Sequence, residues 1–129
     1  RMFPVVAYLA YAFGKLGIRT VLVDNIAALG PEQAAIAAPG DVMLAVSCAP
    51  YAPGTVDSAA AAHRRGVKAL ALTDSSLSPL AENCHLWLEV VEADYGAFRS
   101  LAATFAVAMT LAVAAAERAG RSAVSDLAG

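Results

Sequence analysis

Short apolar runs alternate with stretches of helical periodicity along the whole chain, and this alternation limits the possible folds more than any other feature. Four runs stand out: Thr20-Val21-Leu22-Val23, Val42-Met43-Leu44-Ala45-Val46, Lys68-Ala69-Leu70-Ala71-Leu72 and His85-Leu86-Trp87-Leu88-Glu89-Val90. The second and third are almost continuously apolar, as in strands covered on both faces. The last alternates, which suits an edge strand. Helical patterns separate them. Residues 3–16 place Val6, Leu9, Ala10, Phe13 and Leu16 at helical spacing before Gly17. Gly30-Pro31-Glu32-Gln33 opens a second helix and residues 54–65 a third, with His63, Arg64 and Arg65 in its last turn and Gly66 after it. Ser78-Pro79 caps a short helix reaching about Glu82, and a final helix spans about residues 95–120.

The resulting order, α-β-α-β-α-β-α-β-α, predicts a parallel sheet in a three-layer α/β/α sandwich. A sheet of this type normally has a strand before its first helix, often near its centre. The expectation is therefore that one strand and one loop of the same fold lie upstream of Arg1. Residues 1–120 would form the truncated domain and residues 121–129 a frayed tail.

Composition narrows the function. The chain has 129 residues, 59% of them hydrophobic and 32 of them alanine, enough for one domain with closely packed helices. Nine Lys and Arg against 11 Asp and Glu give a net charge of −2, so no basic stripe is present to neutralise nucleic-acid phosphates. Cys48 and Cys84 are far apart and read as small buried hydrophobes in a reducing, cytoplasmic compartment. Residues 101–116 resemble a membrane span only superficially. They contain Thr104 and Thr110, fall short of the about 20 apolar residues a span needs, and read as a buried helix. No membrane partner is expected.

In open α/β sheets ligands bind at the carboxyl ends of the strands. Two hydroxyl-rich turns fall there: Ser47-Cys48-Ala49-Pro50-Tyr51-Ala52-Pro53-Gly54-Thr55 and Thr73-Asp74-Ser75-Ser76-Leu77-Ser78-Pro79. Hydroxyls and free N–H groups at helix starts are what a phosphate ester requires. Ser78 fits a cap better than a ligand contact, and Asp74 fits a turn residue bonding its own backbone. Candidate general bases are few: Glu82, Glu89, Glu92 and Glu117. No second His or Cys is spaced to chelate a metal with His85, Cys84 faces the other side of its strand, and His63 lies far from the predicted site. No dinucleotide or nucleotide-phosphate motif occurs, so no cofactor is expected. Binding without turnover follows, with no catalytic residue assigned.

Residues 41–47, 50–56 and 66–75, with Ser78-Pro79-Leu80-Ala81, resemble the sugar isomerase (SIS) domain, most closely its version in bacterial transcriptional regulators of the RpiR/MurR type. The resemblance covers roughly residues 1–119. It implies a five-stranded, flavodoxin-like parallel sheet that binds a phosphosugar, a dimer or higher oligomer, and DNA binding through a preceding helix-turn-helix domain absent from this sequence. It further implies that effector occupancy controls sugar-catabolism genes, with a phosphosugar isomerase as the alternative. Ser47 and Thr55 match the family's phosphate-binding serine-threonine loop, while Thr73, Ser75 and Ser76 fall in the second ligand-facing loop. The first loop is longer than the family's usual Ser-x-Ser-Gly-x-Thr and carries Cys48 and Tyr51, which would shape or cover the pocket.

Overall fold

The computed structural model describes residues 1–128, with side chains to residue 120. Its helices are α1 (Phe3–Lys15), α2 (Gly30–Ala34), α3 (Pro53–Arg64) and α4 (Ala102–Ala128), with strands β1 (Val42–Val46), β2 (Lys68–Thr73) and β3 (Leu86–Glu89). Short 3-10 turns lie at Ile26–Ala28 and Ala81–Asn83. The strands form one parallel sheet in the order β1-β2-β3. Val42 pairs with Lys68 through to Val46 with Leu72, and Leu70 with Leu86 through to Thr73 with Glu89.

Strand alternation sorts the core by size. Val46 and Leu72 point to one face, where they meet Val5 and Leu9 of α1 and Ala108 and Ala112 of α4. Ala45 and Ala71 point to the other and pack with Ala59 of α3 and Leu80. With small side chains on both sides of that second contact, α3 lies close against the sheet, and Ala59 and Ala62 are fully buried. The alternating helices and parallel strands thus give the expected α/β/α layering, with helices on both faces.

Several elements differ from expectation. Thr20-Val21-Leu22-Val23 is not a strand, so the described residues give three strands where four were expected from this sequence. A strand exists by pairing, and this run has no ladder partner among the described residues; Val21 is 58% and Val23 39% exposed. The second helix is only five residues long, started by Asn25, whose Oδ1 accepts from Gly30 N at 2.8 Å. The region expected to open the last helix at residue 95 instead folds back as a tight turn, with Gly96 at φ +78° and bridging of Asp94 with Arg99. Helix α4 starts at Ala102, where Ser100 Oγ accepts from Ala102 N at 3.1 Å, and its backbone continues through residues 121–128. Ser78 does act on the local backbone, its Oγ accepting from Leu80 N at 3.2 Å, although the helical turn it precedes is 3-10.

Helix α4 is not buried all round. Thr104, Ala108 and Ala112 form its buried stripe, while Met109 and Val113 are exposed. Residues 102–120 are long and apolar enough, by length and composition, to cross a membrane. In this fold their inner stripe packs on α1 and the sheet instead.

Candidate functional site

Because the sheet is parallel, the loops that leave β1, β2 and β3 all emerge at one end. The ladder runs slightly beyond the strands, with Ser47 N donating to Leu72 O at 3.1 Å and Val90 N to Thr73 O at 2.7 Å. These bonds fix Ser47, Thr73 and Val90 side by side. They line a small cleft together with Met2, Val46, Cys48, Leu72, Glu92, Arg99 and Thr104. Its volume is about 10 Å3, room for a single water.

The predicted ligand residues divide into four groups. Ser47, Cys48 and Thr73 line the cleft. Ser47 is buried and its Oγ accepts from Ala52 N at 3.2 Å, which ties the loop to the entrance of α3 and leaves the hydroxyl proton available to donate. Thr73 is also buried, yet its Oγ1 makes no hydrogen bond; it is the one such buried side-chain atom among the described residues. Tyr51 reaches the site indirectly: its hydroxyl donates to Asp74 Oδ1 at 2.6 Å. Thr55 sits in the first turn of α3, its N–H bonded to Ala52 O. Ser75 and Ser76 serve the turn after β2 and do not line the cleft. Ser75 Oγ accepts from Leu77 N, and Ser76 N donates to Glu89 Oε1.

Asp74 does more than the turn role expected of it. Its carboxylate crosses to the other loop, accepting from Ala49 N at 3.0 Å as well as from Tyr51. The Ala49–Pro50 peptide between those two donors is cis. Burial pushes the Asp74 carboxyl up, but the bonds from Tyr51 and Ala49 outweigh it and hold it below its ordinary value. The same bond to Asp74 raises the Tyr51 phenol. Asp74 thus locks the two hydroxyl-rich loops together.

Arg99 and Thr104 escaped the sequence reading as site residues, and Glu92 entered it only as a candidate base. Arg99 Nη1 lies 3.6 Å from Asp74 Oδ2 and Nη2 lies 3.8 Å from Asp94 Oδ2. The Cys48 sulfur beside the guanidinium, then Asp94 and Asp74, hold it above the usual arginine value. Glu92 spans the start of α4, its two oxygens accepting from Ala103 N at 3.0 Å and Thr104 N at 2.9 Å. Those two N–H groups are orphan donors of a helix N-terminus. Thr104 itself is buried at the cleft wall. A signal for Arg99 was present, since it is the one Lys or Arg between Lys68 and Arg118.

The other sequence candidates lie elsewhere. Glu82 is exposed in the Ala81–Asn83 turn. The His63 and His85 rings approach to 6.1 Å, and His85 Nδ1 accepts from Ala69 N at the amino-terminal side of the sheet. Among the described residues no three His, Cys, Asp or Glu side chains gather as a metal group. Cys84 is half-buried, and burial raises its thiol.

Comparison with known proteins is consistent with this geometry. The family model for the SIS domain matches residues 3–114. Among solved structures, the chain is similar to the sugar isomerase domain of an RpiR transcription factor from Sphaerobacter thermophilus. Identity there is 34% and the TM-score 0.81, covering 96% of this chain and 69% of that one. It is also similar to the Vibrio vulnificus NanR protein complexed with ManNAc-6P (23% identity, TM-score 0.78, 97% of this chain and 49% of that one). A third similar structure is E. coli CFT073 c3406 in complex with a phosphosugar, at 17% identity and TM-score 0.69, with coverage of 91% and 65%. At those two identities the likeness is one of fold. No match to a curated protein is found. With the family model spanning most of the sequence and a 34% identical relative over nearly its whole length, the chain belongs to the SIS domain family.

Proposed function

We propose that this chain is the effector-sensing domain of an RpiR-type transcriptional regulator, binding a phosphorylated sugar at the carboxyl ends of β1 and β2 without turning it over. The observation that carries this reading is the buried, unpartnered Thr73 hydroxyl beside Ser47 at the strand ends. It lies in a chain 34% identical to the sugar isomerase domain of an RpiR transcription factor. A buried hydroxyl without a partner costs about 1–3 kcal/mol, and a ligand oxygen would relieve that cost. The phosphosugar complexes of two structures of the same fold support the ligand class.

Binding without catalysis suits the placement of the acids. Among the described residues Glu92 is the one carboxylic side chain lining the cleft, and both its oxygens are engaged by α4 backbone N–H groups. A general base needs a lone pair aimed at substrate. The remaining candidates, Glu82, Glu89 and Glu117, do not line the cleft.

Other parts of the reading follow from exposed surfaces. The unpaired side of β1, with Val42 67% exposed, receives a further strand of the same fold. DNA binding belongs to a separate helix-turn-helix domain, since the charge of −2 gives this domain no phosphate-neutralising face. Association as a cytoplasmic dimer or higher oligomer uses α1 and α4. Tyr8, Tyr11, Met109 and Val113 are exposed there, and a groove of about 350 Å3 runs between Leu88 and Val107.

Thermal unfolding with a panel of aldose and ketose phosphates and their unphosphorylated parents tests the proposal. Ligand at 100 times Kd adds about 2.7 kcal/mol, a Tm rise of about 5–10 °C for a domain this size. One or more phosphates should produce it and no free sugar should. An absence of stabilisation across the panel counts against a sugar-phosphate effector. Deuterium exchange at C1 of fructose 6-phosphate, abolished by Ser47→Ala, would turn the assignment to the isomerase.

A further inference from the structure

The hydroxyls of Ser47 and Thr73 supply donors but no charge, whereas a phosphate monoester carries close to two negative charges at neutral pH. One cation reaches the cleft. Arg99 stands on the segment of residues 90–101 that runs across the strand ends between β3 and α4. Its guanidinium faces Asp74, with side chains 25% and 20% exposed respectively. The separation of 3.6 Å, like the 3.8 Å to Asp94, is that of an ion pair rather than of a short charge-assisted hydrogen bond. Asp74 itself cannot follow Arg99, because Ala49 N and the Tyr51 hydroxyl hold its two oxygens. The guanidinium is thus loosely held by a firmly held anion.

Two observations say that something enters beside it. Thr73 Oγ1, adjacent in sequence to Asp74, is buried, lines the same cleft and has no partner. The cleft of about 10 Å3 is smaller than a phosphoryl group, so an entering phosphate has to widen it, and the segment that carries Arg99 forms one of its walls. Arginine's planar fork can then form two parallel bonds with phosphate oxygens, a better geometry than its present contacts.

We propose, resting on the phosphosugar reading above, that Arg99 is the residue that reads the phosphate charge and Asp74 the internal anion that holds it in reserve. Binding exchanges Asp74 for the phosphate at the guanidinium. The exchange sets specificity, because an unphosphorylated sugar has nothing to draw Arg99 from Asp74 and leaves the segment closed. It also carries the signal outward. The displaced segment includes Glu92, whose oxygens cap the first turn of α4.

Isothermal titration of the chain with inorganic phosphate, ManNAc-6P and ManNAc tests this, using Arg99→Gln, Arg99→Lys, Asp74→Asn and the Asp74→Asn/Arg99→Gln double variant. Loss of a charged hydrogen-bond partner should weaken binding of the phosphate probes about 10- to 100-fold in Arg99→Gln, with Arg99→Lys recovering part of it. Asp74→Asn keeps one acceptor, for Ala49 N, and its amide can donate to the Tyr51 oxygen, while the competing charge is removed, so it should tighten phosphate binding. That gain should vanish in the double variant. Phosphate binding unchanged by Arg99→Gln, or tightened equally by Asp74→Asn with and without Arg99, overturns the exchange while leaving the phosphosugar site standing. Failure of the unaltered chain to bind inorganic phosphate, ManNAc-6P or any phosphate ester of the thermal-unfolding panel overturns both. Circular dichroism of Arg99→Gln, matched to the unaltered chain, separates an affinity change from loss of fold.

Discussion

Two apolar runs of similar chemistry meet opposite fates in this chain. Lys68–Thr73 is the central strand, flanked by β1 and β3 and covered by α1 and α4 on one face and α3 on the other. Thr20-Val21-Leu22-Val23 is at least as rich in β-branched residues, yet it crosses the surface unpaired. Thr20 Oγ1 bonds the nearby Ile18 O, a local contact in place of a ladder. β-Propensity expresses the fit of a side chain to a paired, half-buried surface. Where the paired neighbour is lacking, the same residues remain extended and exposed.

The largest test of that contrast is truncation of one residue in each run. Leu72 is 1% exposed and sits between α1, α4 and Val46. Leu72→Ala should cost about 2–5 kcal/mol through lost transfer energy and a cavity. Val21→Ala, at an exposed position, should stay within about 0.5 kcal/mol. Urea unfolding of both variants reads the difference directly. Similar losses at the two sites would mean that residues 20–23 are packed and paired in solution.

The contrast also explains what was legible in the sequence. β1 and β2 announced themselves because burial on both faces leaves no polar residue inside the run, and Gly17 and Gly66, at φ +75° and +77°, end their helices as expected. Ser47 and Thr73 were found because position at a strand end follows from local pattern. Cys48 was found with them. Arg99 was not, and Glu92 was read only as a candidate base, because the chain reversal at Gly96 sets Arg99 against Asp74 and the start of α4 against Glu92. The start of α4 was misplaced for the same reason: residues 95–101 have acceptable helix composition, but Ser100 and Glu92 cap the helix at Ala102. Ser75 and Ser76 shared the hydroxyl signal of the true lining residues while serving the turn, a distinction that residue type alone does not carry.

A second, smaller test uses two carboxylates, one from each region. Asp74 and Asp24 are both held below the ordinary aspartate value. For Asp74 the bonds from Tyr51 and Ala49 overcome burial; for Asp24 the cause is the bond from Gln33, then that from Ile26 N. A folded value below the unfolded one means that stability is present above the unfolded pKa and lost as pH falls through the folded one. Both contributions therefore disappear below about pH 4. At pH 7, Asp74→Asn should cost about 1 kcal/mol, at the low end for a charged hydrogen-bonded group because solvent still reaches it. Asp24→Asn, fully exposed, should change stability less. Urea midpoints from pH 7 to pH 3 should show the Asp74→Asn deficit closing below pH 4. A deficit that does not narrow at all between pH 7 and pH 3 would assign the effect to lost packing instead of charge.

The smallest expected effect compares two glycines. Gly66 follows α3 at φ +77°, with no neighbour closer than Pro39 Cγ at 3.8 Å to an added Cβ. Gly66→Ala is thus opposed by backbone conformation alone, and should cost about 1 kcal/mol. Gly30 has an ordinary φ, but an added Cβ would stand 2.7 Å from Asn25 Oδ1. That oxygen belongs to an exposed side chain in the unpaired region, free to swing outward once its bond to Gly30 N is given up. The lost bond and the reduced entropy of the unfolded chain oppose each other at similar size, so Gly30→Ala should fall within about 0.5 kcal/mol of the unaltered chain. Steric conflict therefore costs less than a mild backbone strain, because the conflict lies where the structure can yield and the strain where the sheet cannot. Thermal unfolding of the two variants decides it. A Gly30→Ala loss exceeding that of Gly66→Ala would show that the turn from Asn25 to Gly30 is held as firmly as the end of α3.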